Sequence, residues 1–310
     1  MNSQIYESIC SLVQEKERVR QKELMSAHTT FRIGGPAKIF VSPGSKEELK
    51  AVVALCRRKG IPWFILGNGS NLLVSDQGYE GVVIEIGKSL GSICIKGSLL
   101  EAGAGALLSQ TANKALEEGL TGLEFAAGIP GTVGGAAVMN AGAYGCEMKD
   151  VLTGVRVLTG DGTIKEVAAG SLELGYRTSS ILKNGWIVLG AQFSLEKGEP
   201  EKIRARIEEL AKLRRLKQPL EYPSAGSTFK RPEGFFAGKL IQDAGLKGFQ
   251  VGGAQVSEKH SGFVINRDHA TARDVITLCC QVSERVKEQF GVELELEIKC
   301  LGDMKRQEGR

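Results

Sequence analysis

Residues 122–145 read Gly-Leu-Glu-Phe-Ala-Ala-Gly-Ile-Pro-Gly-Thr-Val-Gly-Gly-Ala-Ala-Val-Met-Asn-Ala-Gly-Ala-Tyr-Gly, and this segment decides the fold. Its seven glycines and six alanines leave it almost without bulky side chains. Glycine costs up to about 1 kcal/mol in a helix interior and also weakens a strand, and Pro130 disfavours both. We therefore expect neither element here, but a backbone wrapped closely around a large, flat ligand. A buried crossover of small residues is the alternative.

A second glycine segment, Leu66-Gly67-Asn68-Gly69-Ser70-Asn71-Leu72, follows a predicted strand. The backbone N–H groups of such a loop can point toward one anion, and the missing Cβ atoms let phosphate oxygens come close. No Lys-Ser/Thr pair follows and the next predicted element is a strand, which excludes a P-loop and a dinucleotide fingerprint. On its own, the segment fits either a phosphate site or a tight β-turn without a ligand.

Length and composition describe an ordinary globular protein with unusually many glycines. The chain has 310 residues, which at about 100–200 residues per domain suggests two or three domains. Apolar residues make up 42% and charged residues 25%, and the 40 glycines are well above the average share. The net charge of +4 comes without a basic cluster. This charge pattern argues against nucleic-acid binding and fits an anionic small molecule.

The cysteines and the apolar pattern indicate a cytoplasmic protein. Seven cysteines occur without a C-x-x-C pair, which favours reduced thiols, and with three histidines we expect no metal site. No segment approaches the roughly 18 apolar residues of a membrane span. Charged residues 15–18 interrupt the N-terminal region, so we expect neither a signal peptide nor a membrane partner.

Hydrophobic periodicity and capping signals predict the elements. Helices are predicted at 1–24, 46–60 (after a capping box of Ser45 and Glu48), 106–118, 201–217, 238–244 and 271–290. Strands are predicted at 38–41, 61–66, 82–86, 93–96, 151–158, 163–167, 187–195, 251–257, 262–267 and 292–300. Pro219 and Pro223 follow the charged helix, so we place a domain boundary near residue 216.

The last predicted strand alternates strictly between apolar and charged residues. Its charged face carries Glu293, Glu295, Glu297 and Lys299. Periodicity does not choose among the three glutamates.

Eight motifs follow one another along the chain: Phe31–Gly35, Leu66–Leu73, Gly128–Gly135, Asn140–Gly145, Tyr176–Ser179, Tyr222–Lys230, Ala237–Ile241 and His260–Asn266. In this order they resemble the UDP-N-acetylenolpyruvoylglucosamine reductases, a family of bacterial peptidoglycan-precursor enzymes. The resemblance covers residues 28–302. The chain resembles the short form of the family, because it has no insertion matching the substrate-covering tyrosine loop of longer members.

This resemblance implies an α+β fold with a vanillyl-alcohol-oxidase-like (PCMH-type) FAD-binding domain and a smaller α+β substrate domain. The FAD-binding subdomains would be residues 1–80 and 81–216, and the substrate domain residues 217–310, whose last residues could return to subdomain 1. The family's cofactor is FAD, expected here to be non-covalent because no His or Cys marks a covalent link. NADPH would be the co-substrate. The substrate would be a UDP-sugar with an enolpyruvyl ether, and we expect a monomer.

The resemblance also assigns site residues. The matching FAD-binding positions are Gly67, Asn68, Gly69, Ser70, Asn71, Pro130, Gly131, Gly134, Gly135, Val138, Ala141 and Gly142. Arg177 matches the residue that stabilises developing negative charge, since a guanidinium binds a carboxylate bidentately. Ser227 matches the proton donor, and Glu297 the acid that orients or protonates the intermediate. Tyr144 and Lys217 match contacts to the UDP diphosphate.

Other functions remain open at this point. Another FAD oxidoreductase of the same fold, acting on an alcohol or lactone, is one alternative, and a non-catalytic nucleotide-binding module is another. His260 lies in a matching motif, but we interpret it as a structural hydrogen-bonding residue. Cys279 and Cys280 fall inside the predicted long helix and are expected to pack in the core.

Overall fold

The computed structural model describes residues 2–304. The helices in this part of the chain are α1 (Asn2–Cys10), α2 (Lys46–Lys59), α3 (Leu108–Glu117), α4 (Val133–Met139), α5 (Ser180–Lys183), α6 (Pro200–Lys217), α7 (Ala237–Asp243) and α8 (Ala272–Phe290). The first ten strands are β1 (Val19–Leu24), β2 (Pro36–Val41), β3 (Trp63–Leu66), β4 (Leu72–Val74), β5 (Tyr79–Glu85), β6 (Ile93–Lys96), β7 (Leu99–Gly103), β8 (Leu120–Thr121), β9 (Gly142–Ala143) and β10 (Cys146–Glu147). The others are β11 (Leu152–Leu158), β12 (Ile164–Ala168), β13 (Ile187–Ser194), β14 (Glu196–Lys197), β15 (Ser224–Ser227), β16 (Gln250–Val251), β17 (Ala254–Val256), β18 (Phe263–Asn266) and β19 (Lys299–Leu301). Helices and strands are mixed along the chain, which confirms the α+β class.

The strands form three larger sheets and three short pairs. The four-stranded sheet β1-β2-β5-β3 contains the parallel pair β3 and β5. The five-stranded sheet β12-β11-β13-β7-β6 is antiparallel throughout. The third sheet, β15-β18-β17-β16, is also antiparallel. The short pairs are β9 with β10, β8 with β14, and the parallel pair β4 with β19.

Packing divides the chain into two compact units. Unit 1 comprises Met1–Arg20, Ile39–Asn68 and Val82–Arg214, and unit 2 comprises Gln21–Lys38, Gly69–Gly81 and Arg215–Arg310, each as far as it is described. The end of unit 1 at Arg214 lies close to the boundary predicted near 216. The division at residues 80 and 216 stays a prediction, and residues 305–310 of its last domain lie outside the described residues.

Each unit has its own apolar core. In unit 1, the five-stranded sheet, α2 and α3 contribute fully buried side chains such as Leu49, Leu100, Leu108 and Phe193. In unit 2, α8 contributes one apolar face, including Val275 and Val282. Burial of this kind is the main favourable contribution to folding, at about 25 cal/mol per Å² of apolar surface.

The predicted helix ends are confirmed where a cap was visible in the sequence. The Ser45 side chain accepts the Glu48 N–H at the start of α2, and Gly60 ends that helix in the left-handed conformation at φ +61°. A reciprocal capping box joins Thr271 and Asp274 at the start of α8. These interactions are local, so the sequence is sufficient to predict them.

The helix predicted over residues 1–24 is only partly right. It ends at Cys10, and residues 19–24 form β1 instead. β1 is the edge strand of its sheet and is rich in charged residues, a common property of edge strands. Pairing with β2 outweighs the weak helix propensity of these residues.

The first glycine-rich segment was wrongly expected to contain no helix. Residues 133–139 form α4, which begins at the N-cap Thr132 and ends at the left-handed Asn140. A Cβ at Gly134 would lie 2.9 Å from the Cβ of Ala104, so glycine lets the helix approach its neighbour. Close packing and two caps offset the low helix propensity of the two glycines.

The strand predicted at 292–300 is mostly wrong as well. Only Lys299–Leu301 form a regular strand, β19, which pairs with β4. Before it, the chain makes a single bridge between Leu296 and Phe229. The strictly alternating residues therefore form no single strand. The chain first pairs with Phe229 at Leu296 and then pairs with β4 at Lys299–Leu301.

Candidate active site

Gly69, Ser70 and Asn71 form the unit-2 part of the loop that follows β3. Gly69 has φ +60°, and a Cβ there would lie 2.0 Å from the carbonyl oxygen of His28, so the position requires glycine. Its carbonyl accepts the Thr30 N–H at 3.2 Å. Within residues 2–304, no acceptor is found for the N–H groups of these three loop residues. They are therefore available to bind an anion.

The last residue of this loop is tied to the region of Glu297. The Asn71 carbonyl accepts the Lys299 N–H at 3.0 Å, and the Asn71 side-chain amide donates to the Glu297 carbonyl at 3.3 Å. These bonds fix the end of the loop beside one of the predicted catalytic residues.

In unit 1, the structure brings the two glycine segments together. The Asn68 side chain donates to the Pro130 carbonyl at 2.8 Å. A Cβ at Gly67 would lie 2.6 Å from the hydroxyl oxygen of Thr132. Gly67 thus allows its backbone to pack closely against Thr132. The sequence alone could not distinguish this packing from a close approach to a ligand.

The N-terminus of α4 keeps few free donors. The N–H groups of Val133 and Gly134 donate to carbonyls in the loop 104–106 at 2.8 and 2.9 Å. The Gly135 N–H donates to the Thr132 side chain at 3.4 Å. Any contact of Gly134 or Gly135 with a cofactor would therefore depend on shape and not on these N–H groups.

Arg177 lies on a tight turn in unit 1. Gly175 and Thr178 exchange two backbone hydrogen bonds of 3.1 and 3.3 Å, which close the turn around Tyr176 and Arg177. Arg177 has φ +55°, a conformation that is costly for a residue other than glycine. Its guanidinium lies 5.1 Å from the centre of the Tyr176 ring. The side chain is half-buried, so its charge is partly shielded from water.

Sequence reasoning missed two residues that hold this turn. The Ser179 hydroxyl, fully buried, donates to the Val138 carbonyl at 2.6 Å. The Asn140 side chain donates to the Gly175 carbonyl at 3.2 Å. Both lie inside recognised motifs, but nothing in the sequence shows that their side chains hold this turn.

Tyr144 occupies the two-residue turn between β9 and β10. Tyr144 and Gly145 have φ +56° and +87°, as a type I′ turn requires. The Tyr144 hydroxyl donates to the Leu210 carbonyl of α6 at 3.3 Å. The ring is 40% exposed, so it offers an accessible aromatic surface.

Arg214 was not predicted and lies near both Tyr144 and the first glycine-rich segment, residues 122–145. Its side-chain Cδ and one guanidinium nitrogen lie 3.4 Å from a Cβ built at Gly128. Burial lowers the pKa of Arg214, although the charge of Tyr144 opposes this shift. An arginine remains protonated in proteins, so a half-buried cation covers the backbone at Gly128.

Ser227, in unit 2, ends β15 after a bulge. The pairing of β15 with β18 shifts register between Ser224 and Ser227, and Gly226 has φ +79°. Such a bulge redirects the next side chain. No hydrogen bond of the half-buried Ser227 hydroxyl to any residue in the described range is found. The hydroxyl is therefore available to a ligand.

Glu297 is hydrogen-bonded to the residue that follows Ser227 in the chain. Its N–H donates to the Thr228 carbonyl at 2.8 Å, and Thr228 directly follows Ser227. Glu297 is only 9% exposed. The other two glutamates of the predicted face are exposed and paired, Glu293 with Lys287 and Glu295 with Lys230. Burial selects Glu297, which periodicity could not do.

Lys217 and His260 complete the charged groups of interest in unit 2. Lys217 ends α6 and is exposed. Burial lowers the pKa of His260, with smaller contributions from Lys247 and Lys217. The His260 Nδ1 accepts the Gly262 N–H at 3.1 Å, which agrees with a structural role.

The predicted site residues are distributed over both units. Unit 1 carries Gly67, Asn68, Pro130, Gly131, Gly134, Gly135, Val138, Ala141, Gly142, Tyr144 and Arg177. Unit 2 carries Gly69, Ser70, Asn71, Lys217, Ser227 and Glu297. Val138, Ala141 and Gly142 are half-buried around the end of α4.

The chemistry of these groups fits FAD. Free backbone N–H groups at Gly69, Ser70 and Asn71 suit the oxygens of a pyrophosphate. No group of three or more histidine, cysteine, aspartate or glutamate side chains that could hold a metal ion occurs within residues 2–304. Among the described helices, none has the length and apolar character needed to cross a bilayer.

Comparison with known proteins agrees with this geometry. Residues 37–168 match the family model of an FAD binding domain. The chain is thus an FAD-containing oxidoreductase with an FAD-binding domain, and its unit 2 carries an available serine hydroxyl and a buried glutamate. Residues 218–301 match the C-terminal domain of UDP-N-acetylenolpyruvoylglucosamine reductase. The chain belongs to the UDP-N-acetylenolpyruvoylglucosamine reductase family, as its relatives also show.

Two relatives and one solved structure illustrate the similarity. The chain is 52% identical over 289 residues to the reductase of Clostridium novyi, covering 93% of this chain and 94% of the relative. It is 54% identical over 281 residues to that of Caldanaerobacter subterraneus subsp. tengcongensis, covering 91% and 93%. The crystal structure of the Thermus caldophilus reductase matches with a TM-score of 0.79 and 38% identity, covering 92% of this chain and all of that one. The family and the FAD-binding fold are confirmed.

Proposed function

We propose that this chain reduces the enolpyruvyl ether of UDP-N-acetylglucosamine enolpyruvate to UDP-N-acetylmuramate, with NADPH as co-substrate, in peptidoglycan precursor synthesis. The names of the relatives and the FAD-binding domain support this activity. When bound, FAD would supply the redox chemistry of the reaction, in which a hydride from NADPH is added to one vinyl carbon of the substrate. The other vinyl carbon then needs a proton, and the carbanion or enolate that precedes it needs electrostatic stabilisation.

Ser227 supplies the proton. Its O–H bond breaks as the new C–H bond forms, and water returns a proton to the serine oxygen. A serine is a weak acid near pH 7, but an enolate carbon is basic enough to take its proton when the geometry is right. The observation that carries this role is the half-buried hydroxyl, which has no hydrogen-bond partner among residues 2–304 and lies next to the residue that anchors Glu297.

Arg177 binds the substrate carboxylate and stabilises the negative charge that develops beside it. A guanidinium is always charged and offers two parallel donors to a carboxylate. Preorganised stabilisation of this kind is worth several kcal/mol of barrier. The left-handed conformation of Arg177 supports the role, because strained residues persist where the surrounding structure holds them for function.

Glu297 orients or protonates the intermediate. Its low exposure supports this role, since the interactions of a buried carboxyl group with a ligand are screened much less than those of a group in open water. Tyr144 and Lys217 contact the diphosphate of the UDP-sugar, and both residues are exposed.

FAD is held non-covalently by the residues that the family motifs indicate. In unit 2, the N–H groups of Gly69, Ser70 and Asn71 bind phosphate oxygens. In unit 1, the small residues of the first glycine-rich segment, including Gly131, Val138, Ala141 and Gly142, provide surface that a planar cofactor can approach. The protein acts as a monomer in the cytoplasm and binds no nucleic acid.

Ser227→Ala tests the function. NADPH should still bleach the flavin absorbance near 450 nm, while reoxidation by the UDP-sugar becomes slower by roughly 100-fold or more. Stopped-flow spectra separate the two steps. Ser224→Ala, at the other end of β15, is the matched control and should behave as wild type. Normal reoxidation in Ser227→Ala would remove the serine from the mechanism, and a colourless protein that cannot be reconstituted with FAD would contradict the whole proposal.

A further inference from the structure

We propose that Asn140 is a positioning residue for Arg177, an inference that rests on the carboxylate-binding role proposed above for that arginine. The one structural feature behind it is a buried amide that connects the C-terminus of α4, the hairpin of β9 and β10, and the turn that carries Arg177. All of these elements belong to unit 1.

Asn140 is 1% exposed and uses both ends of its side-chain amide. The nitrogen donates to the Glu147 carboxylate at 2.8 Å and to the Gly175 carbonyl at 3.2 Å. The oxygen accepts the Lys149 N–H at 2.9 Å. The side chain is thus fully engaged: two bonds reach the neighbouring residues Glu147 and Lys149, and the third reaches Gly175, which is 35 residues away in sequence.

Capping alone does not explain an asparagine here. Asn140 ends α4 with φ +43°, and the residue in that position needs only a left-handed backbone. Glycine adopts this conformation most readily and is the usual choice. The three side-chain hydrogen bonds are what asparagine adds, so the amide has a purpose beyond ending the helix.

The bond to Gly175 acts directly on the turn of Arg177. Gly175 and Thr178 close this turn, and Arg177 has φ +55° within it. A non-glycine residue in this conformation stays there only when its surroundings hold it. Asn140 anchors the Gly175 end, and the Ser179 hydroxyl, bonded to the Val138 carbonyl, anchors the other.

The bond to Glu147 adds an ionised carboxylate near the guanidinium. The hydrogen bond from Lys149 lowers the pKa of Glu147, the bond from Asn140 and the charge of Arg177 add to this effect, and burial opposes it. Asn140 therefore orients a negative group toward the neighbourhood of Arg177 while holding the turn. Losing the amide would release both constraints together.

The test uses the holoenzyme and Asn140→Gly, which keeps the left-handed backbone and removes all three side-chain bonds. We expect kcat/KM for the UDP-sugar to fall about 10- to 100-fold, as for a small displacement of a group that must be aligned. Flavin content and bleaching by NADPH should stay at wild-type levels. Lys22→Gly, an exposed left-handed residue at φ +52°, is the matched control and should retain full activity.

A double-mutant comparison distinguishes positioning from a general structural effect. In an Arg177→Ala background, Asn140→Gly should change kcat/KM by less than about two-fold, because interacting residues are not additive. An equal loss in both backgrounds would overturn the inference, as would wild-type kcat/KM in Asn140→Gly. If Arg177→Ala itself is fully active, the proposed role of the arginine fails instead.

A second variant keeps the test decisive if Asn140→Gly does not fold. Asn140→Asp preserves size and the acceptor for the Lys149 N–H, but it cannot donate to Gly175. It should show the same loss of kcat/KM with normal flavin content. Wild-type kcat/KM in Asn140→Asp would overturn the inference.

Discussion

The backbone N–H of Glu297 donates to the Thr228 carbonyl at 2.8 Å. This one bond places a glutamate with 9% exposure beside the residue that follows Ser227. Thr228 is itself buried and held on both sides, because its N–H donates to the Gly262 carbonyl and its hydroxyl accepts the Val264 N–H, each at 2.9 Å. The two proposed proton-handling residues therefore rest on one rigid strand arrangement in unit 2.

Glu297→Gln is expected to lower kcat by roughly 100-fold or more, the usual contribution of a positioned acid. The carboxamide keeps the size of the side chain but cannot transfer a proton in the same way. Steady-state kinetics with the UDP-sugar measure the effect. Glu293→Gln is the matched control, since Glu293 is exposed and forms an ion pair with Lys287. If both variants retain wild-type kcat, Glu297 has no role in the reaction.

Gly69→Ala should destabilise the protein and reduce its flavin content. The alanine would carry the left-handed cost of about 1–2 kcal/mol, and its Cβ would lie 2.0 Å from the His28 carbonyl oxygen, so the loop has to move. Gly97→Ala is the control, because Gly97 has a similar φ of +65° but open space around it. Urea unfolding and absorbance at 450 nm give both quantities. Equal effects of the two substitutions would show that the close approach at Gly69 does not matter.

Lowering the pH should reduce the free energy of unfolding, because the folded state disfavours the protonated form of His260. Burial lowers the pKa of His260 below its ordinary 6.5. In the interval between the lowered pKa and 6.5, the unfolded chain binds the proton and the folded chain does not. The free energy of unfolding therefore falls as the pH drops below 6.5, until the folded-state pKa is passed.

His260→Asn isolates this contribution, because its side-chain oxygen can still accept the Gly262 N–H. Urea unfolding at several pH values between 5 and 8 should show a flatter dependence in the variant than in the wild type. Nuclear magnetic resonance titration of His260 checks the direction of the shift independently. A pKa at or above 6.5 would contradict the prediction.

Thiol reagents should discriminate among the free cysteines of the native protein. Burial raises the pKa of Cys56 to about 11 and raises that of Cys279 further. Since the thiolate is the reactive form, both should react only on unfolding. Cys94 is exposed and should react quickly at pH 8. A time course with a chromogenic disulfide measures how many thiols react quickly, and Cys94→Ser is the control that should lose the signal of Cys94. Fast modification of Cys56 or Cys279 would show that their burial is incomplete.

Much of the fold could be predicted because its signals are local. The cap of α2 and the adjacent strands β11 and β12 depend on residues a few positions apart, and both predictions are confirmed. Short-range hydrogen bonds of this kind are present in the sequence as fixed spacings. The FAD-binding domain was predicted from the resemblance of the motifs to a known family.

The secondary-structure predictions that were wrong concern segments whose structure depends on contacts with residues distant in sequence. Residues 19–24 become a strand because β2 is available to pair with them, and residues 133–139 become a helix because Gly134 can pack against Ala104. Neither partner can be identified from the segment itself. Propensity is a weak preference that such contacts override.

The sequence by itself determined the family, the capped helices and the two glycine segments, whose residue types are required wherever a backbone turns sharply or approaches another group. Only the tertiary structure decided which glutamate is buried and which residues hold Arg177. Glu293, Glu295 and Glu297 are equivalent by periodicity, yet pairing of residues 228–230 with 295–297 buries the last and leaves the first two in exposed ion pairs. Burial and hydrogen bonding are properties of the neighbours that folding brings together, and a linear pattern does not contain them.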